Sequence, residues 1–168
     1  VQSHVHFAYQ QAKEQLDLGK RVLFTGTPCQ IAGILNYLNR PYKNLITCDL
    51  ICHGAPSQKL FRDDVQLLLK RNDLDGLKFT FRSGKEFYLN IFENEKVIIK
   101  KQFYNDVFYL GFMKSLFYRE SCYQCVYATD KRVSDITIGD FWGLGKNITF
   151  DHKNKEGGVS VILCNTDK

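Results

Sequence analysis

Four of the six cysteines occupy positions that suit chemistry better than packing. Cys29 lies in "LFTGTPCQIAG", where an apolar strand hands over to a helix behind a Thr-Gly-Thr-Pro turn. Cys52 closes the run "NLITCDLIC" just before "HGAPS", and Cys122 and Cys125 form the C-x-x-C of "RESCYQC". Four thiolates suit either a 4Fe-4S cluster or a structural zinc, since both accept sulfur ligands. One pair with two strand-end singles is unlike the two paired knuckles of a zinc ribbon, but spacing alone does not choose the metal. A C-x-x-C also serves as a redox dithiol. A thiol nucleophile at Cys29 or Cys52 ranks below metal binding, because His53 directly follows Cys52 and neighbouring side chains on an extended segment point apart. His53 reads as a turn residue, and His4, His6 and His152 lie elsewhere. Cys48 and Cys164 fall within apolar strand patterns and read as core.

The elements that must position these thiols follow from periodicity. Phe7, Ala8, Ala12, Leu16 and Leu18 recur at helical spacing before Gly19. "RVLFTG" reads as a strand, and Ile31, Ile34, Leu35 and Leu38 mark the face of a helix that ends near Asn39, with Pro41 barring its continuation. The pattern then repeats: "NLITCDLIC" as a covered strand, "HGAPS" as a turn, and a helix carrying Leu60, Phe61, Val65, Leu67, Leu68 and Leu69. "LKFTFR" and "EFYLNIFENEKVIIKKQF" alternate like antiparallel strands with a hairpin turn at Glu93-Asn94-Glu95-Lys96. A further helix is expected from about Asn105 to Phe117, followed by the strands "SDITIGDF" and "GGVSVILCNT". Between those strands the polar, Gly-rich "WGLGKNITFDHKNKEG" reads as a mobile loop. The fold class is α/β: a mixed sheet with a parallel strand-turn-helix core, helices on both faces and an antiparallel hairpin insertion. Turns after consecutive parallel strands open on one edge, so Cys29 and Cys52 are expected in one crevice. Four thiolates converge there if the C-x-x-C segment folds over that edge.

The 168 residues, 44% hydrophobic and 14% aromatic, suffice for one domain with a real core, 1–168. The chain opens without Met in a helical pattern, so it reads as a fragment of a longer one. A net charge of +5 is spread over Lys and Arg in ones and twos, which argues against nucleic acid. Neither a membrane-length apolar run nor a signal-peptide pattern occurs, so a cytoplasmic setting is expected and a disulfide framework is not. Thirteen Phe and nine Tyr imply a dense aromatic core or burial against a partner. "GTPCQIAG" is neither a P-loop nor a dinucleotide fingerprint, yet its helix N-terminus suits an anion. In "DITIGDFWG", Asp140, Phe141 and Trp142 either line a cleft or cap the core and fasten a turn. Arg82, Arg119, Lys131 and Arg132 are candidates to neutralise a cluster or a phosphate.

Taken in order, "FTGTPCQIAGI", "DLICHGAPS", "RESCYQC" and "SDITIGDFWG" resemble the C-terminal domain of the coenzyme F(420) hydrogenase/dehydrogenase beta-subunit family, over roughly Val22 to Thr166. The resemblance implies an oxidoreductase module passing electrons between FAD and a 4Fe-4S cluster, with a deazaflavin, ferredoxin or similar carrier as partner. Cys29, Cys52, Cys122 and Cys125 match its motif cysteines and become the expected ligands. Gly26, Thr27, Gln30, His53, Gly54, Asp140 and Trp142 are carried over by position as flavin contacts. Family members commonly carry an N-terminal ferredoxin-like cysteine run that this sequence lacks, which implies a missing segment or a separate partner protein. A non-enzymatic scaffold holding zinc or no metal is the rival reading.

Overall fold

In chain order the elements are α1 (Ala8–Asp17), β1 (Val22–Gly26), α2 (Pro28–Leu38), β2 (Leu45–Leu50), α3 (Gln58–Leu69), β3 (Lys78–Thr80), β4 (Tyr88–Glu93), β5 (Lys96–Gln102), α4 (Val107–Met113), α5 (Glu120–Tyr123), β6 (Ile136–Asp140) and β7 (Ser160–Cys164). The computed structural model describes residues 4–83, 86–144 and 158–168. Most of the loop that reads as mobile, with His152, lies outside the described residues. The chain forms two compact units, one built on Gly54–Gln124 and the other on Ser3–His53 with Cys125–Lys168.

The split unit holds a sheet ordered β1-β2-β6-β7, parallel across β1, β2 and β6 and antiparallel at β7. It is the mixed α/β sheet with a parallel strand-turn-helix core that the sequence implies. Pro28 opens α2 at the position where a missing N–H costs nothing, and Asn39 closes it in the left-handed region at φ 51°. Ala12 and Leu16 of α1 and Ile34 and Leu38 of α2 pack together with Val22, Phe24 and Leu45 beneath them. Along the same strands Leu23, Ile46, Leu50 and Ile138 alternate to the other side and are exposed. Cys164, expected in the core, is exposed. It ends β7, an edge strand on which only Val161 is even partly buried.

The continuous unit is an antiparallel sheet, β3-β4-β5, with α3 and α4. Asn94 and Glu95, both at positive φ (46° and 62°), make the expected tight turn between β4 and β5. The core of this unit is aromatic: Phe61, Phe108 and Tyr109 are buried with Val65, Leu89 and Ile91, and Phe79, Phe81, Phe87, Phe103 and Phe117 pack around them. Much of the phenylalanine surplus is accounted for here.

Helix α4 stops at Met113, four residues earlier than expected. Ser115 adopts φ 60°, its N–H donates to the Phe112 carbonyl at 3.0 Å, and the Leu116 N–H reaches back to the Gly111 carbonyl at 2.9 Å. This paired closure satisfies the last carbonyls and turns the chain. Phe117 then lies across Gly111, where a Cβ would stand 2.1 Å from its ring.

At the start of α4, Asp106 caps the helix by accepting from the Tyr109 N–H at 2.9 Å, and its other oxygen faces Lys101 at 3.6 Å. Burial, together with the nearby Asp106 charge and against the pull of Lys101, raises the Asp64 carboxyl from its ordinary value to about 6. Because the folded pKa lies above the unfolded one of about 3.9, the contribution of Asp64 to stability is present at low pH. It is lost as pH rises from there through about 6. Asp64→Asn is therefore expected to raise the melting temperature at pH 7.5, with the advantage disappearing below about pH 4. Thermal melts over pH 3.5 to 8, as approximate limits, check this, and a constant offset across that range would exclude it.

Candidate functional site

The register of the parallel strands decides which loops share an edge. Gly26 of β1 pairs with Asp49 of β2, and Leu50 of β2 pairs with Ile138 of β6, so the three strands end together. Thr27, Cys29 and Gln30 follow β1, Cys52 and His53 follow β2, and Asp140 and Trp142 stand at the end of β6. That carboxyl edge is where open α/β sheets place ligands.

Each loop is fixed by a local device. Gln30 turns its side chain back so that Oε1 accepts from the Thr27 N–H at 2.9 Å, which fastens the entry to α2. The same close approach explains Gly26, where a Cβ would stand 3.0 Å from Gln30 Oε1. Thr27 Oγ1 lies 3.1 Å from Cys29 Sγ. From α1 the Tyr9 hydroxyl donates to the Gln30 carbonyl at 2.9 Å, and burial, with the Cys29 charge nearby, raises the phenol above its ordinary range. After β2 the Ile51 N–H donates to the Ile138 carbonyl at 2.9 Å, and its side chain lies over Gly139, where a Cβ would meet it at 2.7 Å. The glycine of "TIGDF" thus lets the segment leading to Cys52 continue down against β6.

A buried polar spine runs between β2 and β6. Asp49 and Thr137 are almost fully buried, and Thr137 Oγ1 donates to Asp49 Oδ1 at 2.5 Å. Arg132 pairs with the other oxygen of Asp49 at 2.9 Å, and the side chain of Asp49 has no exposed area. Further along the two strands, Asp135 Oδ2 accepts from both the N–H and the hydroxyl of Thr47 at 2.9 Å. Thr166 Oγ1 donates to Asp135 Oδ1 at 2.8 Å. Burial alone would push the Asp135 carboxyl up, but the bonds from Thr47, Thr166 and Lys168 outweigh it and hold the pKa below the ordinary value. Of these residues the sequence points only to Arg132, and to it as a cation available to a cofactor. The structure buries it against Asp49 instead. A signal for the others is present: an aspartate and a threonine inside an apolar strand demand buried partners.

The placement of the expected ligands is mixed. All six cysteines carry thiols rather than disulfides, with Cys29 and Cys52 exposed and Cys122 and Cys125 partly so. Cys48 is buried, and burial and the neighbouring Asp49 raise its pKa. The C-x-x-C does not sit wholly in a loop: Cys122 falls in the short helix α5, and Cys125 follows it with its carbonyl accepting from the Ala128 N–H at 3.1 Å. Cys29, Cys52 and Cys125 belong to the split unit, whereas Cys122 and Gly54 belong to the continuous one. Among the described residues, no three His, Cys, Asp or Glu side chains are gathered closely enough to hold a metal ion. In chemistry the donor set fits a sulfur-ligated cluster, being four accessible thiols with none locked in a disulfide. Trp142 and His53 are exposed, and Gln30 is buried with its side-chain oxygen engaged in the turn.

Fold and edge together define an α/β domain in which Cys29 and Cys52 follow the carboxyl ends of adjacent parallel strands. The chain belongs to the family formed by the C terminus of the coenzyme F420 hydrogenase/dehydrogenase beta subunit, whose model matches residues 19–168. Among curated proteins none matches it. The family is one of oxidoreductase subunits. No helix among the described residues is long and apolar enough to cross a membrane.

The spine has a measurable pH signature. With a folded pKa below the unfolded one, Asp135 contributes stability above about pH 4, and that contribution is lost as pH falls through the folded value. Asp135→Asn is expected to lower the melting temperature at pH 7, the gap to the native protein closing as pH falls below about 4. Equal melting temperatures at pH 7 would show that the spine does not hold β2 and β6 together.

Proposed function

We propose that this domain relays electrons between FAD and a 4Fe-4S cluster, with a deazaflavin, ferredoxin or similar carrier as exchange partner. Cys29, Cys52, Cys122 and Cys125 would be the cluster ligands. The observation that carries the reading is the position of Cys29 and Cys52 at the carboxyl ends of adjacent parallel strands, in a chain of this oxidoreductase family. When bound, the cluster supplies one-electron chemistry and the flavin the exchange between one- and two-electron carriers.

The chain's own residues would do the holding. Cys29 lies in the first turn of α2, where the helix dipole favours negative charge. Gly26, Thr27 and Gln30 would shape the turn against a cofactor phosphate, Gln30 through its bond to Thr27. His53, Gly54, Asp140 and Trp142 would border the flavin ring, the exposed indole of Trp142 offering a stacking face. The second reading is a non-enzymatic scaffold in which the same cysteines hold zinc or no metal.

Anaerobic purification followed by a visible spectrum, with iron, sulfide, zinc and flavin analysis, separates the two. About four irons and four sulfides per chain are expected. Changing any one of Cys29, Cys52, Cys122 or Cys125 to Ser should reduce the iron sharply. Unchanged iron in all four variants would remove the ligand set. A colourless protein that holds one zinc or no metal after reconstitution would establish the scaffold.

A further inference from the structure

We infer that Arg132 is the positioning residue of this edge, its guanidinium fixing the backbone segments that carry Cys52 and Cys125 relative to one another. A guanidinium has five N–H donors in a planar fork, and five bonds use them here. Nη2 donates to Asp49 Oδ2 at 2.9 Å and to the Leu50 carbonyl at 3.2 Å, two residues before Cys52. Nη1 donates to the Tyr127 carbonyl at 3.4 Å and the Thr129 carbonyl at 3.2 Å, two and four residues beyond Cys125. Nε donates to Thr137 Oγ1 at 3.2 Å, which anchors the group to β6.

The turn so gripped begins at Cys125 itself, whose carbonyl accepts from the Ala128 N–H at 3.1 Å. One largely buried side chain therefore bridges the strand end that leads into Cys52 and the loop that leaves Cys125. With its N–H groups spent on protein acceptors, Arg132 acts on geometry and not as a docking cation for a phosphate. Lysine, a point charge with three donors, cannot reproduce the fork.

The consequence for iron rests on the proposed ligand set, whereas the consequence for thiol geometry does not, and the test reads both. In the unloaded chain with Cys29, Cys48, Cys122 and Cys164 changed to Ala, nitroxide labels on Cys52 and Cys125 are expected to give one narrow distance distribution by pulsed electron paramagnetic resonance. Arg132→Lys should broaden that distribution while circular dichroism shows a folded chain. In the reconstituted protein the same variant should lose iron to a chelator about 10- to 100-fold faster, the usual effect of removing a group that orients ligands.

A folded Arg132→Lys chain with the native distance distribution and native iron retention would overturn the inference, as would a broad distribution in the native-arginine chain. If the narrow distribution depends on Arg132 but iron is indifferent to Cys52→Ser and Cys125→Ser, the positioning role stands and the cluster reading falls. Should Arg132→Lys not fold, Asp49→Asn, which loosens the guanidinium while keeping its shape, is read in the same way. If neither variant folds, Arg132 is a stability element only and the inference is wrong.

Discussion

A carboxylate without solvent, on a strand in the interior of a sheet, constrains everything around it. Asp49 is in that position, and its ion pair with Arg132 is the interaction on which the split unit depends. Removing two charges from water costs several kcal/mol per ion. That cost is met only if the pair is close and the remaining hydrogen-bonding groups are satisfied. The Thr137 hydroxyl, the Leu50 carbonyl and two carbonyls of the loop after Cys125 supply the rest. Each demand fixes a piece of chain: the neighbour relation of β2 and β6, the path of residues 125–132, and the exit of β2 toward Cys52. Breaking one half of such a pair leaves a buried charge and costs about 3–5 kcal/mol.

The two units illustrate two ways of holding a fold. In the continuous unit, interlocking rings around Phe61 and Tyr109 dominate, with centroid separations such as 5.0 Å between Phe61 and Phe108. Such a core tolerates volume-conserving exchange, since apolar contact has little directional demand. The split unit has a smaller apolar cluster under α1 and α2 and relies on directional bonds between β2 and β6. Directional networks are unforgiving when partly satisfied, and for that reason they hold backbone to a narrow geometry. The loops that carry Cys52 and Cys125 both leave from this rigid polar spine and not from the aromatic core.

The parts of the fold governed by local pattern were legible in the sequence. The strand-turn-helix repeat, the tight turn at Asn94-Glu95 and the helix stop at Asn39 each rest on periodicity or on a residue with a known conformational preference. The early end of α4 was not legible, because Ser115 takes the left-handed position that glycine or asparagine usually marks. The burial of Arg132 was also hidden, since its partner Asp49 lies 83 residues away and only the fold brings them together. Cys164 misled for a related reason: apolar alternation marks a strand, while burial depends on whether the sheet continues past it. Within the split unit, the shared edge for Cys29 and Cys52 followed from the parallel order alone, whereas Asp140 and Trp142 join it only because β6 pairs parallel to β2, which the sequence does not show. The relation of Cys125 to that edge required the Arg132 bonds.

These arrangements also separate the sources of charge at the edge. Arg132 and Asp49 cancel one another in the interior, so neither projects a net charge outward. At the entry to α2, Pro28 has no N–H, the Thr27 N–H is taken by Gln30 Oε1, and the Gln30 N–H donates to the Thr27 carbonyl at 2.9 Å. What this turn offers an anion at Cys29 is therefore chiefly the dipole of an eleven-residue helix. Geometry at Cys52 and Cys125 is governed by a neutralised ion pair, and electrostatics at Cys29 by a helix terminus. The two rest on different parts of the chain, one on side-chain bonds between β2 and β6 and the other on the backbone of α2.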